Sequence, residues 1–454
     1  MKKSEKNNKN AAQTLIGGGI VVTLGKNNNV INGGAVLIEG DKIKDIGATS
    51  ALKKKYPKAA YFDAKNKLVM PGFINTHMHL YSTFARGLGK AAPSKNFPEI
   101  LKNLWWRLDK KINMDDVYYS AIIPMIDCIK HGTTTIIDHH ASPNSITGSL
   151  DVIAKATKKA GIRASLCYET SDRDGQKIAD EGIEENYNFI KKCDAAKDSM
   201  LSGLFGLHAS MTISSKTLDK CVKKVQELNA GFHVHTAEDI SDVNDSKKKH
   251  KCGVVERWHK NNVLGSKTIL PHCIHISTKE MDMLAKTGTN AIHNPQSNMN
   301  NAVGVANVIE MLKRGVLVGM GTDGMTSRMQ EEVRTAYLLH RINQRNPQVG
   351  FMEAPQMLLW NNAAIANKFF YGTKLGELSK GAAADIILVD YIPFTPFDKN
   401  TFLGHFLFGI FESAIDTTIC NGKILMKNKK VLTLNEPELC AKTLELSKKF
   451  WNRF

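Results

Sequence analysis

The sequence predicts an α/β protein: a (β/α)8 TIM-like barrel with a composite β-sandwich built from both chain ends. Three observations predict it. Between residues 68 and 322, short apolar β-branched runs alternate with amphipathic, helix-forming segments. At each chain end, strand-like runs broken by turn residues are too few to bury a face alone. Finally, histidines and carboxylates sit just past several of the apolar runs, where a parallel barrel carries its chemistry.

The N-terminal strands are LIGGGIVVTL and GGAVLIEGDKIKDIGA, with Gly40-Asp41 as a hairpin signal. Matching runs return as ADIILVDY (384–391) and SAIDTTICNGKILMKNKKVL (413–432), where Asn421-Gly422 suits a two-residue turn. The economical assembly places residues 1–70 and 380–435 in one sandwich, 71–379 in the barrel, and 436–454 in a C-terminal helix. The eight barrel strands are expected at 68–77, 133–140, 163–169, 201–209, 230–236, 268–273, 290–296 and 316–322. Helices are expected at 149–161, 178–192, 215–229, 278–287 and 303–314. A doubly wound open sheet is the alternative, but it would not bring tips one, five, six and eight together.

Composition narrows the partners. With 42% hydrophobic and 23% charged residues, the chain of 454 residues reads as an ordinary globular protein. The net charge of +17 comes from dispersed lysines, with short clusters only at Lys2–Lys9, Lys53–Lys55 and Lys247–Lys251. No basic stretch interleaved with aromatics appears, so neither nucleic acid nor membrane is expected as a partner. No apolar run approaches the roughly 20 residues of a membrane span. The N-terminal apolar stretch is broken by glycines and alternates like a strand, which argues against export. Eight cysteines without a CxxC pair fit reduced thiols and a cytoplasmic location.

The chemistry-bearing residues are His77, His79, His235, Glu238, His272 and Asp323. His77 and His79 alternate on a strand end, so both imidazoles face one side and can reach one ion at about 2.0–2.1 Å. His235 is the natural third ligand, with His233 deeper on the same side. Asp323, between glycines in GMGTDG, supplies a carboxylate. Three imidazoles and one carboxylate suit a single divalent ion, Zn2+ first and Fe2+ second. Such an ion generates hydroxide near neutral pH, and Asp323 can take its proton. Glu238, three residues past His235, is placed as general acid/base. His272, at the end of strand six, is a donor aimed at the attacking oxygen. Each residue alone has a bland reading as a strand-tip or turn residue; the ordered set does not.

At PGFINTHMH (71–79), HGTTTIIDHH (131–140), HVHTAE (233–238), PHCIH (271–275), HNPQSN (293–298) and GTDG (321–324), the chain resembles the amidohydrolase superfamily. The branch is that of cytosine and guanine deaminases and chlorohydrolases (ATZ/TRZ). A closer likeness, on HMHLYSTFARG, FPEILKNLWWRLDKKI, IIDHHASPNSITGSLD and LCYETSDRDG, is to the SsnA-type aminohydrolases. The resemblance implies His77, His79, His235 and Asp323 as metal ligands and Glu238 and His272 as catalytic. It implies a substrate role for His208. LSGLFGLHA carries no lysine where dinuclear relatives carry a carboxylated one, which implies one metal. It also implies a homodimer.

Arg86, Trp105, Trp106, Arg107, Glu169, Asp172 and Arg173 lie on loops one and three. Of these, Trp105, Arg173 and Glu169 are the candidate substrate contacts, with only one of the adjacent tryptophans expected to stack. Asp138 reads either as the group orienting a ligand histidine, or as part of a cluster in which His139 or His140 touches substrate; His275 has no assigned role. The expected activity is hydrolytic deamination of a planar, purine-related N-heterocycle by metal-activated hydroxide. Cleavage of a ring or carbamoyl-type C–N bond is the alternative. A catalytically silent scaffold would lack a ligand or Glu238, and neither is missing.

Overall fold

The computed structural model describes residues 13–454; the Lys2–Lys9 cluster lies outside the described residues. From the N-terminal side come β1 (Gln13–Val22), β2 (Val30–Glu39), β3 (Lys42–Ala48), β4 (Ala60–Asp63) and β5 (Leu68–Pro71). The Gly17–Gly19 run that breaks the apolar stretch is a pair of bulges in β1. Bulging bends the strand, so it borders β4 with residues 14–17 and β5 with residues 20 and 21.

The barrel strands follow: β6 (Phe73–Met78), β7 (Thr133–Asp138), β8 (Arg163–Leu166), β9 (Leu201–Gly203), β10 (Phe205–Ala209), β11 (Phe232–His235), β12 (Ile269–Pro271), β13 (Asn290–His293) and β14 (Val318–Met320). They form two parallel arcs, β6-β7-β8-β9 and β10-β11-β12-β13-β14. Strand four is thus interrupted at Leu204, whose N–H still donates to Leu166 O at 3.0 Å. At the other seam, Thr322 N and Asp323 N donate to His77 O at 2.9 and 3.0 Å, joining β14 to β6. Nearly every barrel residue is buried, as expected of strands covered on both faces.

The chain ends with β15 (Ile386–Val389), β16 (Ile415–Cys420), β17 (Lys423–Lys427), β18 (Lys430–Val431) and the helix Glu436–Arg453. β15 pairs antiparallel with β5, Leu68 opposite Val389 and Pro71 opposite Ile386. Both chain ends thereby share one nine-stranded sheet, β18-β17-β16-β15-β5-β1-β2-β3, with β4 on β1. One apolar cluster takes Val36, Ile38 and Val69 from one end and Ile386, Leu388 and Ile419 from the other. Both hairpin signals form, Glu39 opposite Lys42 and Cys420 opposite Lys423, with Asn421 and Gly422 at φ 50° and 77° as the tight turn requires.

Two expected elements differ. The single strand expected at 68–77 is two, β5 in the sheet and β6 in the barrel. At Gly72, between them, a Cβ would meet Thr134 at 2.4 Å, so only glycine allows the crossing. The strand expected at 290–296 stops at His293, because Pro295 opens a helix, Pro295–Asn300.

A buried ion pair ties barrel to sheet. Arg163 at the start of β8 is fully buried and engages Asp385, whose other oxygen accepts from Asn421 N at 2.7 Å. Its Nε donates to Ser199 O at 2.8 Å. Removing one partner leaves a buried charge without compensation. Arg163→Met is therefore expected to lower unfolding free energy by about 3–5 kcal/mol in a denaturant titration. A loss below about 1 kcal/mol would show that the clasp is not structural.

Candidate active site

Three imidazoles meet at the C-terminal mouth of the barrel because β6 and β11 end there. Each is held by its far nitrogen. His79 Nδ1 lies 2.6 Å from His139 O, and His235 Nδ1 lies 2.9 Å from His208 O. A carbonyl only accepts, so each Nδ1 carries a proton and each Nε2 is turned toward the centre. His77 Nδ1 lies 2.8 Å from His233 Nε2, and His77 Nε2 is buried without a partner. The donor atoms of His77, His79 and His235 lie within 4.8 Å of one another.

Asp323 completes the group from the tip of β14, with Oδ1 3.1 Å from His79 Nε2 and 3.7 Å from His77 Nε2. Ser297 Oγ donates to its Oδ2 at 2.5 Å and Gly324 N to its Oδ1 at 2.8 Å. Converging imidazole nitrogens, one carboxylate and an orphaned buried Nε2 are a donor set that fits one divalent ion. His79 and His235 approach Nε2 to Nε2 at 3.1 Å; burial opposes a charge on His79, but the hydrogen bond and charge of Asp323 raise its pKa to about 9.

Beside this centre, Glu238 and His272 face each other at 3.5 Å, and His272 Nε2 is 3.8 Å from Asp323 Oδ2. Burial, helped by the charge of Asp323, pushes Glu238 well above the usual carboxylate range. Burial also opposes the charge of Asp323, but His77 and His79 outweigh it and hold the carboxyl well below its ordinary value. Two neighbouring carboxyls with pKa values driven apart are an acid and a base side by side. His272 Nδ1 lies 2.8 Å from Asn298 Oδ1. Nε2 of the same ring faces the centre, 3.5 Å from Glu238 and 3.8 Å from Asp323.

A cleft opens over the group. Both Trp105 and Trp106 line it, Trp105 at the end of the π-helical turn Leu101–Trp105, whose wider coil splays neighbours less than an α-helix does. His208 lines it too, its Nδ1 2.6 Å from Thr212 Oγ1 and its ring 6.1 Å from Trp106. Glu169 and Arg173 also face the cleft. Burial disfavours the charge of Glu169, but His208, His139 and Arg173 around it hold the carboxyl well below its ordinary range.

Other candidates lie elsewhere. Arg86 is exposed and 3.7 Å from Asp127, Arg107 binds Phe454 O, and Asp172 caps the helix Ser215–Val225 through Ser214 N. Asp138 does not touch a ligand ring: its Oδ1 accepts from Leu80 N at 2.8 Å, and the carbonyl of His139 orients His79 instead. His139 lies beneath the cleft, with Nε2 against Leu207 O and His233 O and Nδ1 3.3 Å from Glu169. His140 meets Ser142 Oγ at 2.9 Å, and His275 meets Val303 O at 2.8 Å.

Sequence reasoning missed Ser297, Asn298 and Asn301, which hold Asp323, His272 and Glu238 from the Pro295–Asn300 helix and its end. The signal was present as HNPQSN followed by two more asparagines in MNN, a polar run too dense for a structural helix start.

The chain is similar to known proteins over most of its length. Over 418 residues the chain is 31% identical to a 5′-deoxyadenosine deaminase of Methanobrevibacter smithii, covering 90% of this chain and 92% of that protein. A 5-methylthioadenosine/S-adenosylhomocysteine deaminase of Desulforudis audaxviator is 30% identical over 409 residues, covering 89% and 91%. A zinc-bound adenosine deaminase of Xanthomonas campestris superposes with TM-score 0.85 at 20% identity, covering 97% and 98%, a likeness of fold. The model of the Imidazolonepropionase-like composite domain of bacteria matches residues 34–59, within the sheet. That of the Amidohydrolase family matches residues 68–425, the barrel and its clasp, and the chain belongs to that family.

Proposed function

We propose that this chain is a hydrolytic deaminase of a planar, purine-related N-heterocycle. One divalent ion, Zn2+ in the first instance and Fe2+ in the second, would be held by His77, His79, His235 and Asp323. The observation that carries the reading is the convergence of three imidazoles with Asp323, and Glu238 beside them 3.5 Å from His272. When bound, the ion supplies a Lewis acid that lowers the pKa of water toward neutrality.

The protein's own groups do the rest. Glu238 gives its proton to a ring nitrogen and so makes the amine-bearing carbon electrophilic. Water adds there, one proton passing to Glu238 and restoring the acid, the other to Asp323, which returns it to Glu238 at the end of the cycle by way of His272, 3.8 and 3.5 Å from the two carboxyls. The regenerated acid Glu238 protonates the departing amine, and ammonia leaves. His208, Trp105, Glu169 and Arg173 form the substrate wall. A ring or carbamoyl C–N hydrolase would use the same groups but would open a ring without releasing ammonia from amino-heterocycles.

Seven buried free thiols and one exposed support the cytoplasmic reading. Among the described residues, no helix is long and apolar enough to cross a membrane. A homodimer is supported by one face. Phe394 and Phe408, 91% and 66% exposed, share a groove with Phe351 and Tyr391, and Ile392 and Met352 stand beside them, also exposed. Side chains of this size supply on the order of 500 Å², at the upper end of the patches that mark interaction sites and most of one side of a standard interface.

Glu238→Gln is expected to lower kcat on the deaminated substrate by about 10²–10⁴-fold with metal content unchanged. Wild-type activity in that variant would remove the assigned role. Because the reaction needs Glu238 protonated and its pKa is raised, kcat/KM should fall on the alkaline side as that carboxyl ionises, and the variant should lose this limb. Chelation should abolish ammonia release, with Zn2+ or Fe2+ restoring it; activity surviving in metal-free protein would refute the metal reading. Light scattering should give a dimer mass, and Phe394→Asp a monomer. A monomeric wild type would refute the dimer.

A further inference from the structure

Among the described residues, Arg173 is the one lysine or arginine in the cleft wall, and one side of its guanidinium is already taken. Asp109 accepts from Nη2, Asp174 Oδ2 accepts from Nε at 3.3 Å, and Glu169 Oε1 lies 3.6 Å away. It also lies over the ring of Trp106, 5.6 Å from the centroid. The Nε–Nη2 fork with which a guanidinium grips a carboxylate is therefore filled. The acidic side chains of the wall are Glu169, Glu238 and Asp323.

Glu169 is the opposite case. It is 4% exposed and lines the cleft, yet among the described residues no group reaches it in hydrogen-bond geometry. Its nearest polar neighbours are His139 Nδ1 at 3.3 Å, Arg173 Nη2 at 3.6 Å and His208 Nε2 at 3.9 Å. A buried carboxylate short of donors is completed by a ligand that brings them.

We infer that the cleft selects an uncharged substrate presenting an N–H or O–H donor to Glu169, and rejects substrates with a carboxylate tail. This rests on the deaminase reading and narrows its substrate class. It also separates the chain from S-adenosylhomocysteine, the amino-acid-bearing ligand in the name of one relative, and brings it nearer to 5′-deoxyadenosine, the neutral one in the name of another.

The test compares these two nucleosides on the metal-loaded enzyme, by ammonia release, and by calorimetric binding to the metal-loaded Glu238→Gln protein. Binding needs no turnover, so it reads selectivity even if the deaminase reading fails. The expected result is tighter binding of 5′-deoxyadenosine by at least about tenfold, or 1.4 kcal/mol. Asp174→Asn, and Asp109→Asn where it folds, should narrow the gap by freeing part of the guanidinium. Glu169→Gln should weaken the neutral ligand by about tenfold or more. Equal or tighter binding of S-adenosylhomocysteine by the wild type, binding of neither nucleoside, or an indifferent Glu169→Gln protein would overturn the inference. Binding selectivity as expected without ammonia from any amino-heterocycle would overturn the deaminase reading alone.

Discussion

The arrangement depends on how each central imidazole is held from behind. His79 and His235 give their Nδ1 protons to carbonyls of neighbouring strands, so tautomer and ring direction are fixed by backbone. The carbonyls belong to His139 and His208, residues one strand over, so closing the barrel and orienting the rings are a single event. His77 extends the pattern inward through His233 to Cys167, 3.5 Å beyond. Without those contacts three buried imidazoles within 5 Å of each other would have no reason to point the same way.

The strand tips accept unusual backbone to make this work. Ala237, His272 and Asp323 all have positive φ, at 47°, 71° and 54°, though none is glycine. Non-glycine residues in that region cost on the order of 1 kcal/mol or more and persist where surroundings hold them. Here the holders are visible: Ala237 N donates to Asp242 Oδ2, His272 N to Ile292 O, and Asp323 N to His77 O. The strain turns each side chain off its strand and toward the centre.

Much of this was legible in the sequence because period and position carry it. Apolar β-branched runs marked the barrel strands, and His77, His79, His235, Glu238 and Asp323 followed directly from their tips. What stayed hidden was set by partners far along the chain. Nothing local in FINTHMH says that a strand must break at Gly72; Thr134, sixty residues on, decides it. Arg173 looked available as a substrate contact because Asp109, 64 positions earlier, reaches it only through the fold. The hold on His272 Nδ1 depends on the side chain of Asn298, which strand patterning does not address.

The pairing of β5 with β15 joins residues more than 300 positions apart, with the whole barrel strung between them. During synthesis the first five strands can pair with one another, and β5 alone waits for a further neighbour, β15. Contacts of such sequence separation form late and slowly. A nascent chain therefore passes most of its translation with an apolar edge at β5 uncovered, and this edge is where chaperones would bind and where aggregation would begin. A ribosome that stalls before residue 386 therefore leaves a polypeptide holding every barrel strand and every proposed ligand, but not the strand that covers this edge.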